Sequence, residues 1–125
     1  MNIIDTSCWI EYLMNSDIGA QVAPFAENPG ELVVPTITIY EVYKKLLAEK
    51  DEEYALDVVS YMQTGTVIDL NTTLCLSAAQ IGRIHKLPMA DSIIYATSLH
   101  YSAILWTCDR HFKDIPLIKY FPKSQ

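Results

Sequence analysis

The sequence predicts an α/β fold: a parallel, twisted sheet of about five short strands with helices on both faces. Three observations lead there. Short apolar runs of four or five residues recur at 2–5, 31–34, 66–70, 103–107 and 117–120. Between most of them lie segments whose apolar residues repeat at helical spacing, so strand and helix alternate, and strands joined in that way pair in parallel. Finally, Asp5 and Asp109 stand just where a strand ends, Asp91 stands where a helix begins, and Glu41 stands on a helix.

Each element has a local reason. The strand at 2–5 runs into a helix over 6–15, on which Trp9, Leu13 and Met14 recur at helical spacing, and a second helix covers 18–26. Pro35 closes the strand at 31–34, and Thr36 is placed to cap a helix that carries Ile39, Val42, Tyr43 and Leu46 on one stripe, with Glu41 beside it. The acidic run at 49–57 opens a further helix to about Met62, since negative charge favours a helix N-terminus, and Gly65 turns the chain into the strand at 66–70. Asn71 caps the next helix, with Leu74, Ala78, Ile81 and Ile84, which ends near Lys86. Pro88 precedes another that starts around Ala90 or Asp91. The strand at 103–107 delivers Asp109, and Pro116 and Pro122 bound the last strand at 117–120.

At 125 residues the chain is expected to be one domain, 1–125, with one buried core and no linker. No stretch approaches the ~20 consecutive apolar residues that span a bilayer, and Asp5 interrupts the run a signal peptide needs, so a cytoplasmic protein is expected. The three cysteines, Cys8, Cys75 and Cys108, lack CxxC spacing and are expected to be free thiols. A net charge of −6 argues at first against a nucleic-acid ligand. Setting aside the four carboxylates above, however, leaves 11 of the 15 acids against 9 bases, and five of those acids form the run from Glu49 to Asp57. Cations accompany the carboxylates along the chain: Lys44 and Lys45 near Glu41, Arg83 and Lys86 before Asp91, Arg110 and Lys113 after Asp109.

Taken singly, each carboxylate has an ordinary use. Asp5 and Asp91 suit helix N-caps, Asp109 a turn, and Glu41 an ion pair with Lys45 four residues on. Taken together they suit a hard divalent cation, because the carboxyl ends of parallel strands and the starts of the following helices converge on one edge of the sheet. Carboxylates gathered there repel one another, and Mg²⁺ or Mn²⁺ turns that repulsion into coordination. An aspartyl-phosphate phosphohydrolase would also use an early strand-end aspartate, but it usually wants a second one two residues on, where this chain has Ser7. Only Gly19, Gly30, Gly65 and Gly82 are present, so no glycine-rich phosphate loop exists. His111 follows Cys108 and Asp109 closely and so invites a general-acid or zinc reading, but hard ligands dominate and imidazole with thiol would favour zinc, so the expectation is a site of oxygen ligands without it. If the carboxylates are caps that never meet, the chain is a binding module without turnover.

Four segments, IIDTSCWIEYL, ITIYEVYKKL, LPMADSIIYATSL and ILWTCDRHF, resemble in order the motifs of the PIN-domain family of metal-dependent ribonucleases. Their compactness and placement are similar to the toxins of VapBC toxin–antitoxin modules. The resemblance implies a PIN-like fold and an endoribonuclease in which Asp5, Glu41, Asp91 and Asp109 bind Mg²⁺ or Mn²⁺. Thr6 and Thr107 would then be supporting hydroxyls; Arg110 or Lys113, beside Asp109 in the sequence, could clamp the scissile phosphate. It implies RNA as substrate, a homodimer and a small VapB-like antitoxin whose C-terminal segment obstructs the acidic site. Trp9, Tyr12, Leu13, Tyr43 and Leu47 are candidates to line the antitoxin groove. A PIN-fold nuclease outside any toxin–antitoxin pair is the alternative within the family.

Overall fold

A computed structural model describes residues 1–123. Five strands alternate with six helices: β1 (Asn2–Ile4), α1 (Thr6–Leu13), α2 (Asp17–Ala26), β2 (Val33–Pro35), α3 (Thr36–Glu49), α4 (Glu52–Met62), β3 (Thr66–Ile68), α5 (Thr72–His85), α6 (Met89–His100), β4 (Ile104–Thr107) and β5 (Ile118–Tyr120). Short 3₁₀ turns, Pro29–Glu31 and Arg110–Phe112, precede β2 and follow β4. The expected α/β fold with parallel strands is what forms. The strands make a three-stranded unit, β1-β4-β5, and a pair, β2-β3, joined by a single parallel bridge from Asn2 to Leu32. In space they run β3-β2-β1-β4-β5, every pairing parallel.

The core follows from the pleat. Successive side chains of a strand point to opposite faces, so Ile3, Val33 and Leu105 enter one buried cluster with Ile94, Tyr95 and Phe112. Ile4, Leu32 and Val34 enter the other, with Cys8, Trp9, Val22, Val42, Leu46 and Met62. Helices α1 and α2 pack close at Gly19, where a Cβ would collide with the backbone carbonyl of Glu11. Helix α6 is buried along its length from Asp91 to Ser98. Its hydroxyls are satisfied within the helix: Ser92, Thr97 and Ser98 donate to the carbonyls of Met89, Ile93 and Tyr95 at 2.7, 2.8 and 2.7 Å.

Several local expectations shift. Glu31 falls in a 3₁₀ turn rather than a strand. Pro35, not Thr36, occupies the cap position of α3, and no side chain caps that helix. Proline has already fixed the backbone there and lacks the N–H that a helix start would leave unpaired. Asn71 does cap α5, accepting from Leu74 N at 2.9 Å. Helix α5 ends in Lys86 with a left-handed φ of 56°, and Pro88 takes the cap position of α6.

This topology fixes where a site can lie. β2 and β4 flank β1 on opposite sides, so the connections leave β1 in opposite directions and a crevice opens beyond the carboxyl ends of β1 and β4. Ile4 pairs with Trp106, and Asp5 N donates to Trp106 O at 3.1 Å, which brings Asp5 beside Thr107.

Candidate active site

Asp5 is both a cap and a member of the cluster. Its Oδ1 accepts from Cys8 N at 3.0 Å, capping α1, and from Ser7 Oγ at 2.6 Å, while its Oδ2 accepts from Thr107 Oγ1. The two hydroxyls play matching parts. Ser7 Oγ accepts from Cys108 N at 3.1 Å and Thr107 Oγ1 accepts from Asp109 N at 3.0 Å. Each hydroxyl therefore ties Asp5 to the backbone just beyond β4. Burial pushes the Asp5 carboxyl up from 3.8 to about 6, against the lowering effect of those three hydrogen bonds, and the charge of Asp109 pushes the same way.

Glu41 comes from the second turn of α3, and Thr6 Oγ1 donates to its Oε1 at 2.6 Å. It does not pair with Lys45, whose ammonium lies 3.0 Å from Glu49 instead. Asp91 sits in the first turn of α6 without capping it, because Pro88 holds the cap position. Its carboxyl is pushed up to about 6 by burial first and the charge of Asp109 second, with His111 opposing. Asp109 caps the 3₁₀ turn by accepting from His111 N at 2.9 Å. The imidazole of His111 comes back over the same carboxylate: Nδ1 lies 2.9 Å from Asp109 Oδ1 and 2.9 Å from Asp91 Oδ2.

Asp5, Glu41, Asp91 and Asp109 thus line one cleft of about 220 Å³, together with Thr6, Ser7, Ile10, Lys45, Ile94 and Lys123. A larger cleft of about 820 Å³ adjoins it, shares Ser7, Asp109 and Lys123, and adds Arg110, His111, Lys113 and Tyr120. Among the described residues no lysine or arginine pairs with any of the four carboxylates. Oxygen donors crowded together, two of them with raised pKa values, fit a divalent cation. One donor atom each from Asp91, Asp109 and His111 already lies within 4.8 Å of the other two.

Two participants were not legible as such. Ser7 drew notice only for not being a second aspartate, although its place two residues after a strand-end aspartate puts it back over that carboxylate. His111 was set aside as an alternative zinc ligand with a thiol. The thiol of Cys108 is instead buried against Cys8, whose hydrogen bond, with one from Ser7, brings it down to about 7 against the effect of burial. The apolar residues proposed for a partner groove separate. Trp9 is core, packed edge-on against Tyr12 and Tyr61. Leu13 lines a cleft of about 300 Å³ with Ile10, Met14, Leu46 and Tyr54, between α1, α3 and α4.

The family model of the PIN domain matches residues 3–117. The chain belongs to the PIN-domain family. Solved structures carry the same fold. A toxin–antitoxin complex from Klebsiella pneumoniae is 23% identical, with a TM-score of 0.76 over 94% of this chain and 95% of that one. A DNA-bound VapBC from Salmonella typhimurium is 20% identical, with a TM-score of 0.72 over 97% and 98%. VapC20 of Mycobacterium tuberculosis, a toxin that cleaves the sarcin–ricin loop, is 13% identical, with a TM-score of 0.78 over 98% and 100%. No match was found among curated protein sequences.

Proposed function

We propose that this PIN domain is a Mg²⁺- or Mn²⁺-dependent endoribonuclease and the toxin of a type II toxin–antitoxin module. The observation that carries the reading is the meeting of Asp5, Glu41, Asp91 and Asp109 in one cleft, where among the described residues no lysine or arginine forms an ion pair with any of them. Asp91 and Asp109 would hold the cation, with Asp5 supporting them from β1. When bound, the ion supplies Lewis acidity to the phosphate and lowers the pKa of the attacking water. Glu41, kept in place by Thr6, would orient that water and serve as its base. Thr107 and Ser7 hold Asp5 in one orientation, so the cleft is organised before substrate arrives. Arg110, Lys113 and Lys123 line the adjoining cleft and would hold RNA phosphates beside the scissile bond, with Arg110 able to clamp one with two parallel hydrogen bonds.

The regulatory half of the proposal has separate support. The fold is shared with proteins solved as toxin–antitoxin complexes, and the cleft at Ile10, Leu13 and Leu46 offers an apolar seat for an antitoxin segment. A homodimer and a cytoplasmic site of action complete the reading. No described helix is long and apolar enough to cross a membrane.

The test compares wild type with Asp91→Asn, purified identically, on end-labelled structured RNA with Mn²⁺ or Mg²⁺ and with excess chelator. Cleavage by wild type alone, abolished by chelator, is expected. Equal cleavage by the variant would sink the site assignment. Co-expression with the neighbouring reading frame is expected to give a complex and relieve toxicity; the absence of both would remove the toxin label while leaving the nuclease.

A further inference from the structure

We infer that His111 is a direct ligand of the cation this site takes, so that the inner donor set is two carboxylates and an imidazole and the site favours Mn²⁺ over Mg²⁺. This rests on the metal-site reading above and departs from an all-carboxylate site. The geometry is specific. Donor atoms bound ~2.1 Å from one octahedral ion stand ~3 Å apart at adjacent corners. His111 Nδ1 stands 2.9 Å from Asp91 Oδ2 and 2.9 Å from Asp109 Oδ1, so two such edges already exist.

The imidazole is held there by the fold. The backbone N–H of His111 donates to Asp109 Oδ1 at 2.9 Å, and the next residue, Phe112, is fully buried in the core, which anchors the turn. The side chain is 57% exposed. As a ligand the imidazole would offer the lone pair of Nδ1, the ring nitrogen that faces both carboxylates.

Asp5 is the less available donor. Its Oδ1 already accepts from Ser7 and Cys8 and its Oδ2 from Thr107, which leaves about one lone pair of the four free. Asp91, Asp109 and His111 are the three that bring a donor atom each within 4.8 Å of one another. Mg²⁺ demands oxygen and sheds water reluctantly, whereas an imidazole nitrogen suits first-row transition ions, and Mn²⁺ accepts both donor types.

The deciding experiment is pulsed electron paramagnetic resonance of Mn²⁺ bound to the untagged full chain, read for coupling to a directly ligated ¹⁴N. Wild type is expected to show that coupling. His111→Gln is expected to lose it, with Mn²⁺ affinity by calorimetry falling by about tenfold or more and Mg²⁺ affinity by about twofold or less. His111→Asp restores an anionic donor and should recover binding without the nitrogen coupling. His85 and His100, packed on Tyr95 and Tyr101, stay in both variants, so loss of the signal assigns it to His111. Bound Mn²⁺ without nitrogen coupling in wild type, or equal losses for both ions in His111→Gln, would overturn the inference while leaving metal-dependent cleavage standing. Failure of wild type to bind either ion would overturn the metal-site reading along with it.

Discussion

At the residue scale the most consequential contact is the pair of hydroxyls on Asp5. A buried carboxylate that turns freely would present its charge in several directions; Ser7 and Thr107 allow one. Thr107→Val keeps the shape and removes a donor to a buried carboxylate and an acceptor for Asp109 N, which costs about 1.5–3 kcal/mol. The expected outcome is a lower denaturation midpoint and a weaker Mn²⁺ affinity by about 10- to 100-fold, with Thr107→Ser recovering both. Denaturant melts and calorimetry on the two variants check this; a Thr107→Val protein with wild-type affinity would show that Asp5 needs no orienting.

The raised carboxyls of Asp5 and Asp91 also set a pH dependence. The unfolded chain releases these protons near the ordinary value of 3.8, whereas the metal-free folded protein holds them up to about 6. The folded state binds more protons across that window, so the stability these groups contribute is present below 3.8 and lost as pH rises to about 6. Their contribution therefore lowers the thermal midpoint of chelator-treated protein between pH 5 and pH 7.5. Added Mn²⁺ should raise the midpoint more at pH 7.5, where the carboxylates are already ionised. Melts at both pH values with and without the ion read this directly, and an equal effect of Mn²⁺ at both would contradict it.

At the element scale, close packing of α1 on α2 depends on one missing atom. Gly19→Ala places a Cβ against the backbone carbonyl of Glu11, and backbone cannot swing aside as a side chain does. A loss of about 1–3 kcal/mol is expected from the m-value extrapolation of urea melts. The elements themselves were largely legible, because each strand is a short apolar run and each helix except α6 shows a polar face. Helix α6 is the informative exception: with Ser92, Thr97 and Ser98 bonded to its own carbonyls it is buried all round, so periodicity could announce a helix but not its burial. The side-chain cap at Asn71 was legible, whereas those at Ser16 and Asp51 and the proline at Pro35 were not. The strand-end carboxylates were legible from topology alone. His111 was not, since its value as a donor comes from a 3₁₀ turn that folds it back over Asp109 and Asp91, and no spacing rule encodes that turn.

At the scale of the whole molecule, charge is sorted rather than merely negative. The chain carries a net −6, yet Arg110, Lys113 and Lys123 share the cleft that adjoins the four carboxylates. If single-stranded RNA engages those three cations, the logarithm of its affinity should fall with the logarithm of salt concentration with a slope of about −2. Replacing Arg110 and Lys113 together by alanine should reduce that slope to about −0.7. Filter binding at several salt concentrations, in chelator so that RNA survives, tests this; an unchanged slope would place the RNA elsewhere.

The tie between Asp5 and Thr107 spans 102 residues, and β1 finds its partner β4 only across nearly the same distance. A polypeptide emerging from the ribosome has exposed Asp5, Thr6 and Glu41 long before the strand that orients the first of them exists. Until residues 104–109 emerge, the cleft lacks Asp109, the hydroxyl of Thr107 and the β4 edge that positions β1. Nascent and prematurely terminated chains therefore carry most of the acidic residues without the strand that orients Asp5. Any activity housed in this cleft waits on the synthesis of residues 104–109.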